Sequence, residues 1–302
     1  MSLFTAIIIV TGLILFEVIS SIDNAIINAE VLTTMSQRAR RWFLFWGILF
    51  AVFIVRGFLP WLIVWAVNPA LGPWGALTAT FSSDPAIKES IEQSAPILLA
   101  GGGIFLIFLF LHWLFLEDKH FGLPRTEKFF LSQGVWFYAI VSIVLTAVVW
   151  FSLGINNLMA LGAVVGSTAF FITHGFKQNA EENEKKLLSA KYTDVSKVLY
   201  LEIIDATFSI DGVLGAFAFT LSIPLILLGN GIGALVVRQL TIKGIGKIKE
   251  YIFLKNGAMY SILVLGLIML LRAFGHEVPE YVSPVATFII IGYFFALSLK
   301  HK

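Results

Sequence analysis

The chain contains no cysteine. That removes disulfide staples, thiolate metal centres and cysteine nucleophiles together, and it leaves the redox compartment unconstrained. Charge is scarce too. Asp, Glu, Lys and Arg make up 13% of the 302 residues, against about 25% in a soluble globular domain. Alternating apolar and polar runs are missing, which argues against a β-barrel. No basic segment precedes the first apolar run and that run contains acids, so it does not read as a cleaved signal peptide. Gly101, Gly102 and Gly103 follow no strand, so they do not read as a phosphate loop and fit close helix contact instead. There is no H-E-x-x-H and no recognisable pairing of a nucleophile with a catalytic histidine, so an enzyme is not expected.

What the chain has is hydrophobic sequence, 58% of all residues. It falls into continuous stretches of about 20 residues, enough to cross a hydrocarbon core of about 30 Å. The expected fold is an all-α, polytopic membrane helical bundle of about nine spans. They run Leu3–Val31, Trp42–Val67, Pro96–Leu116, Phe129–Phe151, Asn156–His174, Val198–Leu221, Pro224–Ile242, Ile252–Arg272 and Tyr281–Leu299. Basic residues support the count. Arg38, Arg40, Arg41, Lys119, Arg125, Lys128, Lys177, Lys185, Lys186, Lys191, Lys197, Lys243, Lys247, Lys249, Lys255, Lys300 and Lys302 all fall on one side. Only Lys88 and Arg272 fall on the other, and Arg56 and Arg238 lie within spans. The basic side is cytoplasmic by the positive-inside rule, which puts the N-terminus outside and the C-terminus inside. Asn68–Ala95, with three prolines, reads as an external loop. The expected organisation is a first membrane half over 1–176, a polar cytoplasmic linker or helix hairpin over 177–197 and a second membrane half over 198–302.

The two halves share a motif. "EVISSIDN" (Glu17–Asn24) aligns with "DATFSIDG" (Asp205–Gly212): an acid opens each, Ser-Ile-Asp follows, and Asp23 matches Asp211. In the next helix Gly47 precedes Arg56 as Gly229 precedes Arg238, by nine residues each. Five helices separate the copies, and an odd shift reverses direction across the membrane. The expected architecture is therefore an inverted-topology repeat, the arrangement of many secondary transporters.

Glu17, Asp23, Glu202, Asp205, Asp211, Arg56 and Arg238 all fall within spans. Left isolated, these seven charges would cost about 20 kcal/mol, so they must share partners, water or an ion. On a regular helix Ser20, Ser21 and Asn24 lie on the face of Glu17, while Asp23 is offset. Either a second face is used or the helix breaks between Ser20 and Asn24. In the second copy Glu202 and Ser209 flank Asp205, Asp211 is offset, and Gly212 and Gly215 would ease a break. Carboxylates, hydroxyls and amides suit a hard divalent cation rather than zinc or copper(I). Burial favours the neutral acid when the ion is absent, which would couple metal movement to proton movement. The competing reading makes the acids packing partners of Arg56 and Arg238. Asn28 and Glu30 read as interfacial, and His112 and His174 as packing residues at helix ends.

These two stretches resemble the motifs of the TerC family of bacterial integral membrane proteins, an acid followed by Ser-x-Asp-Asn early and an acid with Ser/Ala-x-Asp late. "LEIIDATFSIDGVLGAFAFT" is most similar to the DUF475 branch. The resemblance implies a LysE-type transporter fold and manganese export from a bacterial inner membrane. It implies Glu17, Asp23, Asn24, Asp205 and Asp211 as cation ligands, with Ser20, Ser21, Glu202, Ser209, Arg56 and Arg238 in support. The sequence departs from it at Gly212, which stands where Asn24 has its match. The expected function is a secondary transporter exporting a divalent cation such as Mn2+, coupled to protons, with no organic cofactor and no nucleic-acid partner. A homo-oligomer in the lipid bilayer is compatible with it. The alternative is a membrane assembly or partner-binding factor whose acids serve helix packing.

Overall fold

The computed structural model describes residues 2–47, 50, 56–79, 85–187, 193–243 and 250–301, except the side chains of 23, 27, 44, 77–79, 85–92, 180–187, 208 and 243. Among these residues the fold is entirely helical. The helices are α1 (Leu3–Ser20), α2 (Ile22–Thr33), α3 (Gln37–Trp42), α4 (Leu59–Val67), α5 (Gly72–Ala79), α6 (Pro85–Leu116), α7 (Pro124–Ser132), α8 (Phe137–Leu153), α9 (Asn157–Leu187), α10 (Asp194–Ala216), α11 (Ile223–Lys243), α12 (Leu254–Ala273) and α13 (Val282–Lys300). A π-helical turn, Phe43–Gly47, follows α3.

Seven helical segments are long and apolar enough to cross a membrane: Leu3–Ser20, Gln93–Leu116, Gly134–Leu153, Asn157–Asn179, Ile223–Ile242, Leu254–Ala273 and Val282–Lys300. They match seven of the nine expected spans. The expected second span includes residues outside the described set and ends in a shorter apolar helix, Arg56–Val67. The sixth is α10, 23 residues long with four acids, Asp194, Glu202, Asp205 and Asp211. Most of the apolar stretches of α6 and α12 is buried, whereas α8 is largely bare. Trp136, Tyr138, Ile143, Trp150 and Phe151 all stand exposed. An apolar outer face of this kind matches lipid rather than water.

Two expectations about connections need correcting. The stretch read as a loop, Asn68–Ala95, contains α5 and the first turns of α6. Pro69 and Pro85 open helical segments instead of breaking them, since a first-turn proline forfeits no hydrogen bond. The fourth span begins at Gly134, because Phe129 belongs to the separate amphipathic helix α7. That helix buries Glu127 against Asn256 and Tyr260 at 3.1 and 3.2 Å. In the 177–197 segment, expected as a linker or a helix hairpin, α9 continues as far as Leu187.

α1 and α2 run antiparallel to α10, and the pairs descend in step. Phe16 packs on Gly215, and Glu17 on Gly212. Asn24 Nδ2 donates to Asp205 Oδ1 at 2.5 Å. Lys197 Nζ donates to Thr34 Oγ1 at 2.8 Å, and Ser36 Oγ to Asp194 Oδ2 at 2.5 Å. The matched glycines also cross over. Gly47 faces Glu202 of α10, and Gly229 faces Leu13 of α1.

Candidate functional site

The site begins with a break. Ser21 takes φ −93° and ψ 6°, separating α1 from α2. The backbone ladder survives on either side, with Ser21 N–H on Glu17 O at 3.1 Å and Ala25 N–H on Ser21 O at 2.9 Å. The interruption therefore leaves these backbone groups paired. Ser21 Oγ donates to Glu17 Oε1 at 3.0 Å, whereas Ser20 Oγ turns back to its own helix at Glu17 O, 3.3 Å. Of the two alternatives the sequence left open, the broken helix is the one found. The Asp23 side chain lies outside the described residues.

The second copy does not break. α10 runs through Gly212 and Gly215 to Ala216, which corrects the expectation of a kink there. These glycines serve close approach instead. A Cβ on Gly212 would stand 2.6 Å from Glu17 Oε2, and one on Gly215 would stand 2.5 Å from the Phe16 ring. An asparagine at 212 would collide with the Glu17 carboxylate, which explains why the position matching Asn24 is bare.

Glu17 and Asp205, the matched acids that open the two motifs, meet across shared donors. Arg56 gives Nη2 to Glu17 Oε1 at 2.5 Å and Nε to the same oxygen at 3.1 Å. Its Nη1 stands 3.9 Å from Asp205 Oδ2. Asn24 supplies the other oxygen of Asp205. All four groups are buried, so each charge depends on the others, because water does not solvate them. Ser209 Oγ is committed to Asp205 O at 2.6 Å and offers no lone donor to the acids. The two arginines do not behave alike. Arg56 orients carboxylates, while Arg238 forms no ion pair with them and lies over the Phe43 ring at 4.2 Å.

Asp211 stands apart from this network. It ion-pairs with Lys177 of α9, and its Oδ1 meets no donor. Both line a cavity of about 570 Å³ with Ser20, His112, His174 and Glu117. Lys177 escaped the sequence reading, which counted it as a loop charge. Its position at the very end of an apolar run was the available signal. His112 and His174, read as packing residues, face this cavity with ring centroids 3.8 Å apart. Asn28, read as interfacial, is buried with an unpartnered Oδ1, and Glu30 is exposed. Among the described residues no three His, Asp or Glu side chains converge as ligands of one metal ion.

At the cavity rim Glu117 is 2.9 Å from Lys255 Nζ and 3.4 Å from His112 Nδ1. Burial alone would raise its carboxyl, but His112 and Lys255 together hold it well below the ordinary carboxylate range. A depressed carboxyl stabilises the fold fully above its free value, about 4.5, and loses that contribution as the solution is acidified below it. Glu117→Gln is therefore expected to flatten the acid limb of a melting-temperature profile and to leave the neutral region nearly level. Thermal unfolding against pH checks it.

No curated protein and no solved structure matches this sequence. A family model does: DUF475, described as a protein of unknown function, matches residues 22–302. The match takes in α2, α10 and both arginines, and with most of its length covered this chain belongs to the DUF475 family.

Proposed function

We propose that this protein is a secondary transporter that moves a hard divalent cation, manganese, out of a bacterial cytoplasm, with protons moving in exchange. The observation that carries the reading is the meeting of Glu17 and Asp205. Matched acids from two distant, antiparallel helices converge on one buried network beside a polar cavity that ends at Asp211. Buried charge of this kind is expensive in a bilayer and marks ion pathways. The register between α1–α2 and α10, and the crossing of Gly47 and Gly229, support an inverted repeat with its site where the copies meet. The resemblance to TerC and LysE-type transporters supports the same reading and suggests manganese.

On this reading the cation enters the cavity from the lysine-rich, cytoplasmic side and competes with Lys177 for Asp211. Its oxygen ligands come from Asp211, Asp23, Asn24 and the Glu17–Asp205 pair, with Ser20, Ser21 and Ser209 close by. The donors now holding the acids must yield as the ion arrives, so loading and rearrangement are one event. No catalysis and no organic cofactor are required.

Purified protein in proteoliposomes tests it. Wild type is expected to carry manganese faster than empty vesicles, and Asp23→Asn and Asp211→Asn to lose at least about tenfold, the loss of one charge-assisted contact. Equal flux with and without protein would remove the proposal. One observation favours the packing alternative, namely that Arg56 already pairs with Glu17 and stands beside Asp205. That alternative predicts full function for Glu17→Gln and Asp205→Asn.

A further inference from the structure

The described acids within the bundle have donors, with one exception. Glu17 has Arg56 and Ser21, Asp205 has Asn24, Asp211 has Lys177, and Glu127 has Asn256 and Tyr260. Glu202 is 9% exposed, and neither of its carboxyl oxygens meets a donor. Its charged neighbours are Asp205, on its own helix, and Arg238, on α11. Both Glu202 Oε1 and Arg238 Nη2 crowd the bare Cα of Gly47, at 2.1 and 2.8 Å from where a Cβ would stand. Yet Arg238 makes no ion pair there and lies over Phe43.

Glu202 also faces away from the polar cavity. It sits in an apolar groove of about 690 Å³ whose walls include Trp42, Trp46, Phe50, Phe58 and Phe176. All five are exposed on the outer surface of the bundle. The groove residues from α9 and from the Trp42–Gly47 stretch bring no titratable group. An ionised carboxylate without a donor in such surroundings costs several kcal/mol, whereas the neutral acid does not. Repulsion from Asp205 works in the same direction.

We propose that Glu202 is the proton-carrying group of the transporter, a neutral carboxylic acid buried beside this apolar groove that ionises when Arg238 leaves Phe43 to pair with it. In that step the O–H bond breaks, its electron pair stays on the carboxylate and the proton passes to water. The carrier role rests on the transport reading given above, whereas the neutral acid does not. The two repeats would then hold opposite states, with Arg56 engaged and Arg238 released.

Two measurements test this. Full-length protein in liposomes is treated with dicyclohexylcarbodiimide or with a water-soluble carbodiimide, and the adducts are mapped by mass spectrometry. A protonated carboxyl adds across the reagent's C=N bond and rearranges to a stable N-acylurea with nothing lost. Glu202 is expected to react with the hydrophobic reagent at least about tenfold more than Glu17 or Asp205, and to be spared by the soluble one. No adduct at Glu202, or equal labelling of the three acids, overturns the neutral acid. The second measurement is manganese flux as pH is raised through neutrality. Glu202→Gln is expected to flatten the pH dependence and Glu202→Asp to retain it. A wild-type slope in Glu202→Gln overturns the carrier role. Absence of flux in wild type removes the transport reading and the carrier role with it, and the adduct map still decides the neutral acid.

Discussion

Arg56→Met protein is expected to lose about 3–5 kcal/mol of stability, the usual cost of breaking a buried ion pair by removing one partner. The cost is high because of what remains. Glu17 would keep only Ser21 on Oε1, and its Oε2 already lacks a donor. Asp205 would keep only Asn24. The double variant Glu17→Gln/Arg56→Met is expected to recover more than half of the loss, because no unpaired carboxylate is left at position 17. Arg238→Met is the informative contrast. That guanidinium lies over a ring face, with Asp205 and Glu202 nearby but paired with neither, so its removal should cost about 0.5–2 kcal/mol. Unfolding in detergent, followed by fluorescence of the eight tryptophans, reads all three variants. Equal losses for Arg56→Met and Arg238→Met would contradict the division of labour between the two arginines.

The second large effect is expected at the seam between α6 and α9. A Cβ on Gly166 would stand 2.0 Å from Gly101 O, and one on Gly162 would stand 2.6 Å from Ile97 O. Both obstacles are backbone, which cannot rotate away as a side chain can. Gly166→Val must push the helices apart along a contact that buries Phe105, Phe108 and Phe170. Overpacking usually costs about 1–3 kcal/mol, and a clash with fixed backbone belongs at or above the top of that range. The expected readout is loss of monodisperse protein on size exclusion or a much lower melting point. Gly175→Ala on the same helix, with nothing within 4 Å, should be neutral or slightly stabilising. If Gly166→Val melts with wild type, the helices are not held at glycine distance.

Much of this was readable from residues alone. Continuous apolar runs gave the helical membrane class, and seven of them are helices of spanning length. The repetition of acid and Ser-Ile-Asp anticipated that Glu17 and Asp205 would meet, because charges inside apolar spans must find one another. The local chemistry of Ser20 to Asn24 allowed a break, and one occurs at Ser21. What stayed hidden depends on partners distant in sequence. Nothing in α10 announces that Gly212 faces a carboxylate 195 positions earlier, or that Lys177 will reach Asp211. The unequal arginines were hidden for the same reason. Each follows a glycine by nine residues, and what separates their roles, Glu17 for Arg56 and the ring of Phe43 for Arg238, comes from other helical segments. Loop helices were missed because proline was read as a breaker, when at a first turn it opens a helix.

The antiparallel pairing of α1–α2 with α10 also sets an order of events at the ribosome. Arg56 follows Glu17 by 39 residues, so that pair can close early in synthesis. Asn24 must wait 181 residues for Asp205, about 10–35 s at ordinary elongation rates. When the acid-rich α10 finally emerges, Arg56 and Asn24 are already in place to receive it. A helix carrying four acids thus enters a membrane where its partners have been laid down in advance, and the nascent first half acts as template for the second.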